Sequence, residues 1–222
     1  MKVIRLAGLV FVAILAMSLV AATAASAGLY LFSSSSVGKL FLGLSLAGLL
    51  TAGKDQITCG DDHIEGKVLN VHLLGPFDIT FLGCQSSANE GGTKCSANSV
   101  GQTAGSGVIL TKTIHALLGT ILPSLNGGIL LLPTSGKEFV VVAANTCTPE
   151  TAVEGNIAGL LVANQLGHSI TESLWVFDND SNGTLIDTLN GRVKTSFELF
   201  GAAGSFETVE HQIWDGAVEI EV

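Results

Sequence analysis

Between residues 76 and 84 the side chains of Phe77, Ile79 and Phe81 alternate with those of Asp78 and Thr80, and this period of two is the feature that most constrains the fold. Successive side chains of an extended strand point to opposite faces, whereas a helix repeats its apolar positions every three or four residues. The pattern recurs in short pieces punctuated by Gly, Asn, Asp and Ser. Strands are expected at residues 108–118, bracketed by Gly105, Gly107 and Gly119, and at 139–143, where a β-branched run suits a strand covered on both faces. Further strands are expected at 174–177, 184–189, 192–200 and 206–214. Asn182-Gly183 and Asn190-Gly191 supply the positive-φ pairs that type I′ turns require, which predicts a C-terminal meander. Residues 40–50 are apolar but interrupted by Gly43, Ser45 and Gly48, and read as a strand pair within a core. Only residues 152–166 compete as a helix, and Gly155 and Gly159 count against it. The expected fold class is a single antiparallel all-β domain, a β-sandwich or Greek-key barrel.

The N-terminus carries a different signal. Lys2 and Arg5 precede an uncharged apolar run from Leu6 to Val20, followed by small residues ending in Ala25-Ser26-Ala27. This is the order of a cleavable secretory signal, so residues 1–27 are expected to be removed and 28–222 to form the secreted domain. No membrane span is expected after cleavage, because no second apolar segment is long enough to cross as a helix. The 222 residues less 27 leave 195, enough for one domain with a sizeable core. Two of the ten basic residues and none of the nineteen acidic ones lie in the signal, so the mature chain carries −11. That balance disfavours nucleic acid as a partner, because phosphate binding draws on clustered Lys and Arg. It suits solubility outside the cell, in the secreted, extracellular or cell-envelope compartment.

Export places Cys59, Cys84, Cys95 and Cys147 in an oxidising environment, where four cysteines predict two disulfides. Of the three possible connectivities, Cys84–Cys95 with Cys59–Cys147 is favoured, because the polar segment between Cys84 and Cys95 reads as a hairpin connection that a bridge would staple. The absence of any Cys-x-x-Cys spacing argues against zinc.

These residues, taken together, carry a resemblance. The signal ending Ala-Ala-Ser-Ala, the segments Ile57-Thr58-Cys59 and Phe81-Leu82-Gly83-Cys84, Cys95, and Cys147-Thr148-Pro149-Glu150-Thr151 are similar to a group of uncharacterised secreted proteins of high-GC Gram-positive bacteria. The likeness runs to about Asn164 and implies a secreted β-rich fold, with no activity attached.

One motif carries chemistry. Asp178-Asn179-Asp180-Ser181-Asn182-Gly183 matches the first half of a calcium loop, in which Asp178, Asp180 and Asn182 would converge on Ca²⁺. Leu189 stands where an EF-hand needs its Glu, so the alternatives are a shorter calcium turn completed by Asp187 or a backbone carbonyl, and an acidic hairpin turn that binds nothing. His63, His72, His115, His168 and His211 are scattered and make no metal-type pair. Glu207, Glu210, Asp215, Glu219 and Glu221 read as a solvated strand face, although paired carboxylates also serve glycosidases. Trp175 and Trp214 suit a core or the wall of an apolar site. The leading functional expectation is a non-enzymatic structural or interaction protein with a self-association or cell-envelope partner. The alternatives are an extracellular binder of a small apolar ligand and a hydrolase whose residues meet only in the fold.

Overall fold

A computed structural model of the chain describes residues 30–52, 55–87, 94–122, 126–144, 148–163, 169–178, 185–188, 191–194, 196–199 and 202–221. The expected signal segment 1–27 and Cys147 lie outside them, as do His168, Asp180, Asn182, Gly183 and Asn190. Eight strands form the body: Leu40–Ala52 (β1), Asp61–Asn70 (β2), Leu73–Phe77 (β3), Ile114–Leu122 (β4), Asn126–Pro133 (β5), Thr148–Ala163 (β6), Ser169–Asp178 (β7) and Ser205–Glu221 (β8). Each pairs antiparallel with the next, and β8 returns to pair with β1, so the sheet closes into a barrel. The all-β antiparallel expectation holds. The sandwich and the Greek key do not, because neighbours in sequence are neighbours in the barrel throughout, which is an up-and-down meander. Local alternation specifies that a strand has one buried face, but not which strand lies beside it.

The predicted C-terminal meander is also rearranged. The segment expected at 206–214 pairs directly with β7, from Asp178↔Glu207 to Glu172↔Ile213, while Leu185–Thr188 pairs with the end of β4 and with Gly191–Lys194. Gly191 stands in that ladder opposite Thr188, at a strand position. Within residues 152–166, the competing helix is replaced by β6 as far as Ala163. Its second half belongs to the barrel, through Ile157↔Leu131 to Ala163↔Ser173. Its first half pairs instead with Glu138–Ala144 and Ser196–Leu199. The change of partner, from Glu138 opposite Glu154 to Leu131 opposite Ile157, brackets Gly155, whose φ of 113° lies in the region that side chains avoid.

Glycines also set the barrel's interior. Phe41 and Gly66 are cross-strand partners, and the Phe41 ring lies over Gly66 so closely that a Cβ there would stand 2.6 Å from a ring carbon. Phe177 covers Gly159 in the same way, at 2.6 Å. A ring laid across a neighbouring glycine fills volume that the glycine leaves open and shields its backbone. Gly66→Ala is therefore expected to overpack the interior and cost about 1–3 kcal/mol. A thermal melt should record this as a drop of roughly 3–10 °C.

The disulfide pairing differs from the expected one. Asp61 pairs with Leu82 at the end of the ladder between β2 and Ile79–Leu82, and the Gly60 amide donates to the Leu82 carbonyl at 2.8 Å. The residues flanking this point, Cys59 and Cys84, thereby face each other with Cα atoms 4.0 Å apart and are bridged. Cys95 stands opposite Ser86, and Ala97 rather than Cys95 bonds to the Cys84 backbone. The register is two residues away from a Cys84–Cys95 staple. Cys95 is itself disulfide-bonded.

Candidate functional site

In an eight-stranded barrel the interior is just wide enough to be filled by side chains or to hold one small ligand. Alternation along β1 sends Phe41, Gly43 and Ser45 inward, and the registers with β2, β7 and β8 place their neighbours in rows. One row runs Asp62, Ser45, Glu210, Trp175. The adjacent row runs Ile64, Gly43, Gln212, Ser173, and the next holds Gly66, Phe41 and Trp214. A polar belt thus crosses the interior between two aromatic groups. On one side Phe41 contacts Phe77, Trp175 and Trp214, and Trp214 contacts Phe32. On the other, Phe206 contacts Phe81 and Phe177.

The belt is fully enclosed: Glu210 and Gln212 are 0% exposed and Asp62 is 2% exposed. The Ser45 hydroxyl donates to Asp62 Oδ2 at 2.6 Å. Asp62 Oδ1, both Glu210 carboxyl oxygens and both Gln212 amide atoms are buried without a hydrogen-bond partner. An unsatisfied buried polar group costs about 1–3 kcal/mol, and more when charged. Gly43 makes the arrangement possible, since a Cβ there would lie 3.3 Å from Gln212 Nε2 and 3.5 Å from Glu210 Oε2. Beside the belt, β1 carries one extra residue relative to β8 between Ser45 and Gly48. Such bulges re-aim side chains and are frequent next to functional sites.

Burial pushes the Glu210 carboxyl well above its ordinary value, and the neighbouring Asp62 charge raises it further. Burial also raises Asp62, while the Ser45 hydroxyl and the Glu210 acid beside it pull it back down. Two carboxyls this close in a dry interior hold one proton between them. Of the two, Glu210 is raised the more and is the one that holds a proton to higher pH. The folded protein then binds a proton that the unfolded chain releases above about pH 4.5, the ordinary value for Glu. The stabilisation this gives is complete below that pH and is lost as pH rises through the raised folded value. The melting temperature is expected to be higher near about pH 5 than near about pH 8, with the difference reduced in Glu210→Gln.

The expected solvated face is correct for Glu207, Asp215 and Glu221, which are exposed, and wrong for Glu210. The phase explains it: Phe206, Thr208, Glu210, Gln212 and Trp214 share one face, and the two aromatics hold that face in the core. Asp62 was equally legible, in step with Ile64 and Val68, as a carboxylate on an apolar face. Its convergence with Glu210 was not. Among the calcium candidates, Asp178 is exposed at the end of β7 opposite Glu207, whose carboxyl is raised by partial burial and by the Asp178 charge. Asp187 lies on Leu185–Thr188, paired with Thr120. His63 and His211 are hydrogen-bonded to Glu65 and Glu172 on the barrel's outside, while His72 and His115 are half-buried. Among the described residues no group of three or more His, Cys, Asp or Glu side chains is placed to hold a metal.

Among the described residues no helix is long and apolar enough to cross a membrane. No family model, no curated protein and no solved structure matches the chain.

Proposed function

We propose that the protein is an exported binding barrel, whose interior takes a small, largely apolar molecule with its polar end at Asp62, Glu210 and Gln212. One observation carries this reading: five polar atoms of these three side chains are buried in the barrel without a partner. A scaffold kept only for shape gains nothing from them. Replacing buried charged groups with well-packed apolar ones is often neutral or stabilising by about 1–4 kcal/mol. The aromatic walls on either side supply the apolar surroundings that small-molecule sites use. The disulfide and the signal-like N-terminus support export. The hydrolase alternative fits less well, because the converging carboxyls lie inside the barrel and not in an open cleft.

Trp175 and Trp214, both buried and close to the belt, report on occupancy. Native mass spectrometry of the protein from culture medium is expected to show a retained small molecule, or else short-chain amines, alcohols or acids should shift tryptophan emission saturably. Bare protein whose emission none of these alters would sink the reading.

A second reading, an interaction protein, is favoured by the outer face. Leu40, Leu44, Leu46 and Ile213 are exposed there, Leu46 at 93%. A groove of about 570 Å³ runs past Leu40, Leu42 and Ile213, with Glu65, Lys67 and Asp215 also lining it. Apolar exposure of this kind marks contact surfaces.

A further inference from the structure

We infer that the polar end of the ligand is a small organic ammonium group, seated against the Asp62–Glu210 pair and beside the Trp175, Phe41 and Trp214 rings. The inference rests on the barrel-interior reading above and names the chemistry that the same site selects.

Four of the five unpartnered buried atoms are oxygens, and the fifth is the Gln212 amide nitrogen. Even with a proton on one Glu210 oxygen, the other Glu210 oxygen, Asp62 Oδ1 and Gln212 Oε1 remain acceptors, so the site asks chiefly for hydrogen-bond donors. Gln212 is an observation separate from the two acids: it is a neutral amide, 0% exposed, with neither end satisfied, one row from Glu210. The described ion pairs join Lys112 to Glu138 and Lys137 to Glu154, and His63 and His211 contact Glu65 and Glu172. None of them brings a cation to Asp62 or Glu210. Either acid, once ionised inside the barrel, calls for a positive partner. An ammonium group supplies that charge together with up to three donors.

The surroundings separate the remaining chemistries. Calcium takes six to eight oxygen ligands, and only two carboxylates converge here. A carboxylate ligand would be repelled by Asp62. An alcohol offers a single donor and leaves the charge unanswered. The rings decide in favour of an organic cation: Phe41 lies 5.4 Å from Trp175 and 5.2 Å from Trp214, centroid to centroid, and Trp175 stands in register beside Glu210. Aromatic faces attract ammonium groups, most strongly where water is excluded.

The test compares n-propylamine, n-propanol, propionate and calcium chloride at equal concentration and neutral pH, using the oxidised protein and reading both melting temperature and tryptophan emission. The amine is expected to raise the melting temperature with a logarithmic dependence on its concentration, and the other three to leave it unchanged. Glu210→Gln and Asp62→Asn are expected to weaken the amine effect at least tenfold while still giving cooperative melts. If propanol stabilises as well as propylamine, the ammonium inference falls and the small-ligand reading stands. Stabilisation by calcium alone would replace the organic cation with a metal. If none of the four acts, both the inference and the reading beneath it fail. An amine effect that survives in two folded variants places the amine elsewhere and overturns the inference.

Discussion

Replacing Trp175 by Ala is expected to lower the melting temperature by roughly 10–15 °C. Trp175 is 0% exposed and is among the largest fully buried side chains of the described residues. Its ring lies against Phe41, which in turn contacts Phe77 and Trp214. Truncating a buried Trp removes its transfer free energy and leaves a cavity that the neighbours fill only in part, together about 3–5 kcal/mol. In a barrel the relaxation is limited further, because each strand is hydrogen-bonded on both sides and cannot slide inward to close the gap. For a domain of this size each kcal/mol moves the melting temperature by about 2–4 °C. Trp175→Phe keeps a ring against Phe41 and should lose much less. Calorimetry on the two variants checks the argument, and a shift for Trp175→Ala below about 3 °C would mean that the interior is not packed around this residue.

Removing the Cys59–Cys84 bridge is expected to destabilise the protein by about 3 kcal/mol. The cross-link closes a loop with a sequence separation of 25, and constraining a loop of that length in the unfolded chain accounts for roughly this amount. Cys59→Ser/Cys84→Ser should melt roughly 6–12 °C lower, and reduction of the native protein should give a drop at least as large. Peptide mapping is expected to recover Cys59 joined to Cys84. Cys95 is also disulfide-bonded, and with Cys59 and Cys84 joined to each other the fourth cysteine of the sequence, Cys147, is expected as its partner. Recovery of Cys84 with Cys95 would contradict the register on which both statements stand.

Trp175 and the Cys59–Cys84 bridge differ in how locally they are encoded. Trp175 could be assigned to a core or a ligand wall from its apolar alternation with Phe177, and that much is independent of topology. The bridge is different. Cys84 and Cys95 flank a polar stretch that reads as a hairpin connection, yet Cys95 pairs beside Ser86 and Cys84 meets a strand end some twenty-five residues upstream. Sequence separation sets the entropic advantage of a bridge, whereas strand register sets whether two sulfurs can meet, and only the second is decisive.

The carboxyl pair follows the same division. The phase of Phe206, Thr208, Glu210, Gln212 and Trp214 places Glu210 and Gln212 on an apolar face, and the phase of Asp62, Ile64 and Val68 does so for Asp62. Glu210 also belongs to an acidic run with Glu207 and Asp215, which are exposed, so charge alone points it to solvent and only its phase points it inward. That the two acids share one row, with Ser45 between them, follows from β1 lying between β2 and β8. No local signal in segments some 150 residues apart specifies that adjacency.

By itself the sequence determined the all-β character, the faces of the strands, the positions where glycine breaks them and the signal-like N-terminus, because all of these are written in periods of a few residues. Barrel closure, the order of the strands, the Cys59–Cys84 bridge and the meeting of Asp62 with Glu210 were decided only in the tertiary structure. The physical reason is that a strand's alternation fixes which side it buries, while its partners are selected by the closure of the whole sheet. Closure brings together residues whose separation along the chain carries no trace of the contact.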